Sequence, residues 1–463
     1  MQIRTDMLQR FNITYGRKSA RFALNLPLPL EKNSTIVYND DILSKKGNIT
    51  MRALPVEGMK DYLPEEMALR DELINKIVKT YKENGFRRIS TPAVESIENL
   101  DNSDGGENLK LIYRIAKRGE KLDKAVASGD PANLCDLGLR YDLTLPLARY
   151  YTAHANDLPV PFKCIQVDRV YRAERPQKGR MREFIQCDID ILGSESTNCE
   201  VELMSVTAEA LQNIGINSFR IIVNHRAVIR AVILHCGFDE EQVNSVCITI
   251  DKLDKIGTDG VKEELLSKEF SAEAVEKLMA LLGSKEITLA QLEEYGAGEP
   301  AKELFGVIEA AKKIAGGAYD IVFDITLVRG QGYYTGTVFE VSCDEFGGTV
   351  AGGGRYDGLI GRFSGKDVPA VGFSIGFERI FSVLSDRGAT VGGRKRVAVL
   401  YNEDVFADAY AYAKTLHDEY DVSLVIAKKK IGKQFGQLEQ QGYAAAVVFD
   451  NDKEWKDLQK KAE

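Results

Sequence analysis

The chain has 463 residues, of which 44% are hydrophobic and 28% are charged, and its formal net charge is −8. A chain of this length and composition can bury a large core and divide into two or more domains, which excludes a disordered protein. Net acidity argues against indiscriminate nucleic-acid binding, because proteins that depend on phosphate contacts usually carry a basic face, although a local basic surface is compatible with it.

The sequence carries no signal for a membrane or for a metal. No apolar run reaches the ~18 residues that a membrane helix needs, and the beginning lacks the apolar centre of a signal peptide. The seven cysteines form neither a C-x-x-C pair nor a regular spacing. We therefore expect no disulfide framework, no metal site and no contact with a membrane, and a reducing cytoplasmic location fits this pattern.

Residues 1–50 show little periodicity, and Met51 stands just before a strongly patterned region. We expect residues 1–50 to be an N-terminal extension, either an upstream mis-start or a weak arginine-containing leader, and we assign it no role. From Gly58 onward the sequence predicts a helix with Pro64 near its beginning. Apolar side chains at 69, 73, 77 and 81 recur every four residues, and Asn84-Gly85 ends the helix.

The remaining elements divide into three parts. Strand-like stretches alternate with turns through residue 193 and resume at residue 321. Between them, residues 238–318 are rich in Glu, Lys, Leu and Ala, which is typical of helices and predicts a helical insert that interrupts a sheet. After a glycine-containing linker at 386–395, residues 396–463 predict alternating strands and helices that end in a short helix, forming a small α/β unit.

The stretch RVYRAERPQKGRMREFIQCDIDILG, residues 169–193, concentrates arginines before a run of alternating residues. Its proline and glycine predict a turn between two extended segments. Period two places Phe184, Gln186, Asp188 and Asp190 on one face and apolar residues on the other. One interpretation is an exposed hairpin with solvated charges. The other is a polyphosphate-binding surface, where an arginine grips phosphate and the aromatic ring stacks on a base.

Two further stretches carry polar residues in extended patterns. In LRYDLTLPLAR we expect a strand that Pro146 ends, with Asp142 and Thr144 on one face, and an edge strand facing water is the alternative. In VRGQGYYTGTVFEV, Arg329 precedes glycines that permit close approach of the backbone to a ligand, while the tyrosines fit a core equally well. Glycines also mark AGGGRYDGLI and AVGFSIGFERI, without the spacing of a Walker loop or a dinucleotide fingerprint.

Together these stretches resemble the class II aminoacyl-tRNA synthetases, and among them the histidyl enzymes. TPAVES resembles the first motif, the arginine-rich stretch with R-A-E and R-E-F the second, and GFSIGFER the third. RGQGYYTGTVFE and GGRYDGL resemble the two histidine-specific signatures. The resemblance implies an α/β (α+β) fold: an antiparallel-sheet catalytic core at 51–385, a helical insertion at 219–318, and an anticodon-binding-like domain at 396–463.

The resemblance also assigns residues to ATP and to histidine. Arg172 matches the arginine that holds the α-phosphate, and Arg329 matches the distinctive arginine between that phosphate and the substrate carboxylate, so both are candidate catalytic residues. The ATP site would comprise four residues, namely Arg172, Glu174, Phe184 and Arg379. The residues around histidine would be Asp142, Leu143, Thr144, Gln186, Asp190, Arg329, Tyr333 and Tyr334. ATP would enter with Mg²⁺ as a substrate complex, and no prosthetic group is implied.

The implied activity is ATP-dependent ligation of L-histidine to tRNA(His) through a histidyl-adenylate, by a cytoplasmic homodimer. The insertion would approach the acceptor arm, and AKKKIGKQ (427–434) would form the basic surface of the anticodon-binding-like domain. The sequence departs from the family at Gln331 and Gly332, and it ends at Glu463 before the expected last strands, so that domain is apparently shortened. Two alternatives are a non-catalytic paralogue that regulates a phosphoribosyltransferase of histidine biosynthesis and a structural or interaction protein descended from a synthetase.

Overall fold

A computed structural model describes residues 15–16, 19–20, 53–103, 106–177, 179–284, 287–328, 332–390, 394–450 and 453–458. The chain divides into two compact units, Met1–Pro55 and Val56–Glu463. In the first unit, the described residues form two short antiparallel strands, β1 (Tyr15–Gly16) and β2 (Ser19–Ala20). All other elements belong to the second unit.

The described strands of the second unit are, in chain order, β3 (Arg87–Arg88), β4 (Val94–Ser96), β5 (Arg114–Ala116), β6 (Cys135–Leu139), β7 (Phe162–Tyr171), β8 (Glu183–Leu192), β9 (Phe219–His225), β10 (Asp320–Phe323), β11 (Thr337–Cys343), β12 (Gly348–Arg355), β13 (Ala370–Gly376), β14 (Arg396–Tyr401), β15 (Asp421–Ile426), β16 (Ala445–Val448) and β17 (Glu454–Asp457).

The described α-helices of this unit are α1 (Pro64–Glu83), α2 (Ile97–Asp101), α3 (Glu120–Ser128), α4 (Thr144–His154), α5 (Asn198–Asn213), α6 (Arg226–His235), α7 (Val243–Ile250), α8 (Leu253–Ser267), α9 (Ala272–Leu282), α10 (Leu289–Glu294), α11 (Gly298–Ala315), α12 (Asp357–Ser364), α13 (Phe377–Asp386), α14 (Phe406–Thr415) and α15 (Ile431–Gln440). Across the part of the chain that the structure describes, no helix is both long and apolar enough to cross a bilayer.

The main sheet has eight strands in the order β10-β9-β11-β12-β13-β8-β7-β3. The central pairs are antiparallel, and the two outermost pairs, β10 with β9 and β7 with β3, are parallel. Parallel neighbours require a crossover connection, and helices α6 to α11 supply it between β9 and β10. The sheet confirms the predicted antiparallel core with a helical insertion.

The predicted boundary of that insertion is wrong. Strand β9 lies inside the expected range 219–318, yet it pairs with both β11 and β10 in the main sheet. Its residues alternate between buried apolar side chains and others, so it packs as a strand of the core. The helical part therefore begins at Arg226.

Helix α1 confirms the prediction from period and caps. It begins at Pro64, and Leu69, Leu73, Ile77 and Tyr81 are buried on its core-facing side. Asn84 follows its last residue, and the next residue, a glycine, has a φ of 84°. With α5 and α13, this helix contributes to the large apolar cluster that packs against one face of the main sheet. The opposite face of β8 is free to carry polar groups.

The stretch LRYDLTLPLAR forms a strand only as far as Leu139, which corrects the prediction of a strand through Pro146. Residues from Thr144 onward form α4, where the proline lies in the first turn and loses no helical hydrogen bond there. The Asp142 carboxylate accepts from the Leu145 N–H at 3.3 Å, which satisfies a free amide at the helix start. The buried apolar side chains of α4 pack in a second apolar cluster, which stabilises the helix.

The C-terminal part is a separate four-stranded sheet in the order β15-β14-β16-β17, with α14 and α15 connecting its parallel strands. This confirms the predicted small α/β unit, but its last element differs from the prediction. Residues Glu454–Asp457 form an antiparallel strand beside β16, where a short helix was expected. The edge of a sheet offers unpaired backbone groups, and a few residues of modest helix propensity do not compete with that pairing.

Candidate active site

Strand β8 presents its alternating side chains to two different environments. Cys187, Ile189 and Ile191 belong to the large apolar cluster, with Ile185 packed against it. Four even-numbered residues of the strand instead line a cavity on the opposite face: Phe184, Gln186, Asp188 and Asp190. The sequence prediction of two chemically distinct faces is confirmed, and the polar face is not solvated hairpin surface.

The cavity has a volume of about 830 Å³ and is built from the middle of the sheet and the loops at one side of it. Strands β8, β11, β12 and β13 form its base, and the β7–β8 loop and the start of α13 form one wall. Residues at the start of α4 and before β11 close the deep end. Side chains from α7 and α8, including Lys255, reach its far side.

One glycine is required for the shape of the base. A Cβ at Gly372 would lie 1.9 Å from Oδ1 of Asp190, so any other residue on β13 would displace that carboxylate. Gly372 and Asp190 are direct neighbours across the β13–β8 ladder. The glycine-rich stretches noted in the sequence thus provide space for polar groups, in keeping with the absence of a phosphate-cradling loop.

The deep end of the cavity is acidic. The Tyr356 hydroxyl donates to Oδ1 of Asp190 at 2.6 Å, and the Tyr333 hydroxyl donates to Oδ2 of Asp142 at 3.4 Å. Burial raises the pKa of Asp190 to about 7, although the bond from Tyr356 opposes the shift. Burial likewise raises the pKa of Asp142, against the Leu145 N–H and the Arg172 guanidinium. A cationic or N–H-rich group that entered here would favour the ionised carboxylates.

The wall is cationic and aromatic. The Arg172 side chain donates from Nε to the Tyr141 carbonyl at 3.0 Å, and its guanidinium lies 5.1 Å from the centre of the Phe184 ring. Arg379 donates to the Thr349 carbonyl, and its guanidinium lies 5.7 Å from the centre of another ring, that of Phe346. These contacts fix two guanidinium groups at the cavity, where they can bind a polyanion.

The structure brings together most of the residues predicted for the site. Those that line the cavity are Asp142, Thr144, Arg172, Glu174, Phe184, Gln186, Asp190, Tyr333, Tyr334 and Arg379. Leu143 does not line it: the side chain is fully buried, and its carbonyl accepts from Gln166. Arg329 and Gln331 lie outside the described residues.

Two residues that line the cavity were not among the predicted site residues, although both lie in stretches that the sequence analysis noted. Asp188 stands on the polar face of β8 between two residues that were assigned, and Tyr356 stands within GGRYDGL. Period two was the available signal for Asp188. No local pattern indicates that the Tyr356 hydroxyl reaches Asp190, because the two residues are 166 positions apart.

A family model described as histidyl-tRNA synthetase matches residues 58–380, which include every element that lines the cavity. The chain belongs to this family. The histidine–tRNA ligase of Leifsonia xyli subsp. xyli is 43% identical over 348 residues, covering 71% of this chain and 80% of the relative. Fold, family and motif resemblance therefore agree.

Solved structures show the same fold in this synthetase family. The crystal structure of histidyl-tRNA synthetase from Nostoc sp. PCC 7120 has a TM-score of 0.71 and 28% identity, covering 89% of this chain and 96% of that one. A structure described as an ATP phosphoribosyltransferase regulatory subunit/histidyl-tRNA synthetase from Bacillus halodurans C has a TM-score of 0.67 at 22% identity, covering 86% and 98%. The second similarity concerns the fold alone. The chemistry of the site must therefore decide between a catalytic and a regulatory protein.

Proposed function

We propose that this synthetase ligates L-histidine to tRNA(His) in two steps, with a histidyl-adenylate as the intermediate and MgATP as the co-substrate. The observation that carries the proposal is one cavity with an acidic deep end and a wall of arginines beside an aromatic ring. These two regions suit the two substrates of the first step: the acidic end suits an amino acid with a cationic group, and the arginines suit a triphosphate.

Histidine occupies the deep end in this proposal. Asp190, held by Tyr356, accepts from an imidazole N–H, while Tyr333 and Tyr334 enclose the ring. Asp142, Thr144 and Gln186 face the α-ammonium group. A site that hydrogen-bonds a buried N–H rejects analogues without it by about ten-thousandfold, because its own polar groups are then left unpaired.

ATP occupies the wall. Phe184 stacks against adenine, Glu174 accepts from the adenine amino group, and Arg172 binds the α-phosphate. Arg379 binds near the γ-phosphate, held by the Thr349 carbonyl and the Phe346 ring. We assign Arg329, which lies outside the described residues, between the α-phosphate and the histidine carboxylate.

The first step joins two anions. A carboxylate oxygen of histidine attacks the α-phosphorus in line, and the bond from that phosphorus to the bridging oxygen breaks, releasing pyrophosphate. Fixed guanidinium groups stabilise the charge that develops on the phosphoryl oxygens, because they are already oriented before the reaction begins. In the second step a ribose hydroxyl of the tRNA terminus attacks the acyl carbon and releases AMP. We further propose that the enzyme acts as a cytoplasmic homodimer.

Histidine-dependent exchange of labelled pyrophosphate into ATP tests the first step. We expect exchange by the wild-type protein and a loss of about 100- to 1,000-fold in Arg172→Ala, since one charged group aimed at the transition state is removed. Arg230→Ala is the matched control: Arg230 pairs with Glu240 on the surface and does not line the cavity, so exchange should be unchanged. A folded wild-type protein without exchange would exclude the ligase and favour a regulatory paralogue.

A further inference from the structure

Two buried acceptors in the cavity lack a hydrogen-bond partner. They are Oε1 of Gln186 and Oδ1 of Asp188, which stand two residues apart on the same face of β8. Two other buried side-chain atoms share this property among the described residues, the hydroxyls of Thr207 and Thr337, and neither residue lines the cavity. Buried polar atoms in native proteins normally have partners, so an unpaired pair inside a site points to donors on a ligand.

The Ser374 hydroxyl hydrogen-bonds the Asp188 carboxyl, and the neighbouring amide donors are bound to other acceptors, so Oδ1 of Asp188 stays without a partner. Across the sheet, Asp188 stands between Ser374 on β13 and Gln166 on β7. The Gln186 amide nitrogen donates to the Ser374 hydroxyl at 3.0 Å, and the Gln166 amide nitrogen donates to the Leu143 carbonyl at 3.0 Å. The Gln166 amide oxygen accepts from the Thr91 hydroxyl at 3.2 Å. These bonds orient both amides, and the two unpaired acceptors belong to residues that line the cavity.

A buried carboxyl with one oxygen left without a hydrogen-bond partner destabilises the fold. Burial and the adjacent Asp190 carboxyl raise the pKa of Asp188 well above its usual range, and Asp142 adds to the shift. The hydrogen bond from Ser374 and the Arg172 guanidinium oppose it. Burying a carboxyl with no counter-ion and an unpaired oxygen lowers stability, and an apolar residue would avoid this loss. A ligand cation would offset it, because an opposite charge favours the ionised carboxylate.

We infer that Asp188, together with Gln186, accepts N–H groups of the α-ammonium of bound histidine and acts as a further specificity-determining residue. The inference rests on the proposed function. An ammonium group has three N–H donors, whereas each imidazole nitrogen offers one. Asp190 and Tyr356 already form the subsite for the ring, so the unpaired acceptors of Gln186 and Asp188 suit the multi-donor end of the amino acid.

Two histidine analogues separate the ends of the substrate. Histamine keeps the ammonium and lacks the carboxylate, and imidazolepropionate keeps the carboxylate and lacks the ammonium. We expect Asp188→Ala to weaken calorimetric binding of histamine by about 10- to 100-fold, the range for hydrogen bonds to charged groups. Binding of imidazolepropionate should change by less than about threefold, since it has no ammonium to lose.

The isosteric Asp188→Asn variant distinguishes a loss of binding from a loss of folding. It should keep or raise the thermal midpoint, because it removes a buried carboxyl, while histamine binding falls and imidazolepropionate binding is retained. A merely structural role predicts the reverse, a lower midpoint with both analogues affected equally. Thr207→Val is the matched control: it removes an unpaired buried hydroxyl outside the cavity and should leave both affinities unchanged.

Equal losses for the two analogues, or no loss for either, would overturn the inference. Pyrophosphate exchange by the wild-type protein is measured in parallel. Wild-type exchange with unaltered histamine binding in both Asp188 variants rejects the inference and keeps the ligase. Absence of wild-type exchange together with absence of histamine binding rejects both.

Discussion

Burial of Asp190 favours its protonated form, whereas the proposed contact with histidine uses its carboxylate. Its carboxyl is buried and accepts from Tyr356, yet its pKa is raised to about 7 from an ordinary value of 3.8. The folded protein therefore holds this proton through a pH range in which the unfolded chain has released it. Stability from this group is present at low pH and is lost as the pH rises from the ordinary value to about 7.

Asp190→Asn should remove this pH dependence. The pKa difference corresponds to an upper limit of about 4 kcal/mol, so the variant should gain up to that free energy of unfolding over wild type at about pH 8 and almost none near pH 4. Denaturant unfolding of both proteins at the two pH values measures the gain. The same gain in stability at both pH values would contradict a raised pKa of Asp190 in the folded protein. Histidine binding should weaken in the variant at neutral pH, because a neutral amide replaces the carboxylate.

Single residues show how far the site could be predicted from sequence. Phe184, Gln186 and Asp190 follow from period two on one strand, which depends only on local backbone geometry. The bond from Tyr356 to Asp190 depends on strand order across the sheet, which no local pattern encodes. The resemblance assigned Leu143 to the histidine site, but the turn into α4 leaves its side chain buried in the core.

The start of α13 is joined to α1 by a buried ion pair. Arg70 donates from both terminal nitrogens to Glu378, at 2.6 and 2.8 Å, and its guanidinium lies 3.9 Å from the centre of the Tyr62 ring. Glu378 also accepts from the Tyr62 hydroxyl at 3.0 Å and from the Ile185 N–H at 3.3 Å. One carboxylate thus holds the helix that carries Arg379 against the strand that carries Phe184.

Arg70→Met should therefore lower the free energy of unfolding by about 3–5 kcal/mol, since the buried Glu378 carboxylate loses its counter-ion. We also expect the substitution to raise the KM for ATP by a larger factor than the KM for histidine. Urea unfolding and exchange kinetics measure the two effects. Arg114→Met is the control, because Arg114 makes a similar two-bond pair with Asp101 at the surface and should cost less than about 1 kcal/mol. Equal costs for the two variants would contradict the prediction.

Elements were predictable where local signals and tertiary packing agree. Helix α1 has its proline, its four-residue period and its terminal glycine, and each of these acts within a few residues. In α4 the proline was interpreted as the end of a strand, although a proline is equally suited to a first helical turn. Strand β17 forms because β16 presents an open edge, which only the assembled sheet provides.

At the scale of the whole molecule, activation of histidine and recognition of tRNA are assigned to different parts of the chain. Among the residues that the structure describes, the cavity is lined by those between 108 and 379, and none of this lining comes from the four-stranded sheet that begins at Arg396. Lys428, Lys429 and Lys430 are exposed in the loop between β15 and α15. We propose that they contact the tRNA backbone, so altering them should leave adenylate formation intact.

Reversing two of these charges tests that separation. Lys429→Glu combined with Lys430→Glu should raise the KM for tRNA by about tenfold or more and reduce the slope of log affinity against log salt by about two, since each phosphate contact contributes about 0.7–0.9. Pyrophosphate exchange should be unchanged. Lys121→Glu with Lys124→Glu on α3 makes the same change of net charge at another exposed surface and should alter neither measurement. If both pairs of substitutions weakened tRNA binding equally, net charge would account for the effect and the loop would not be a tRNA contact.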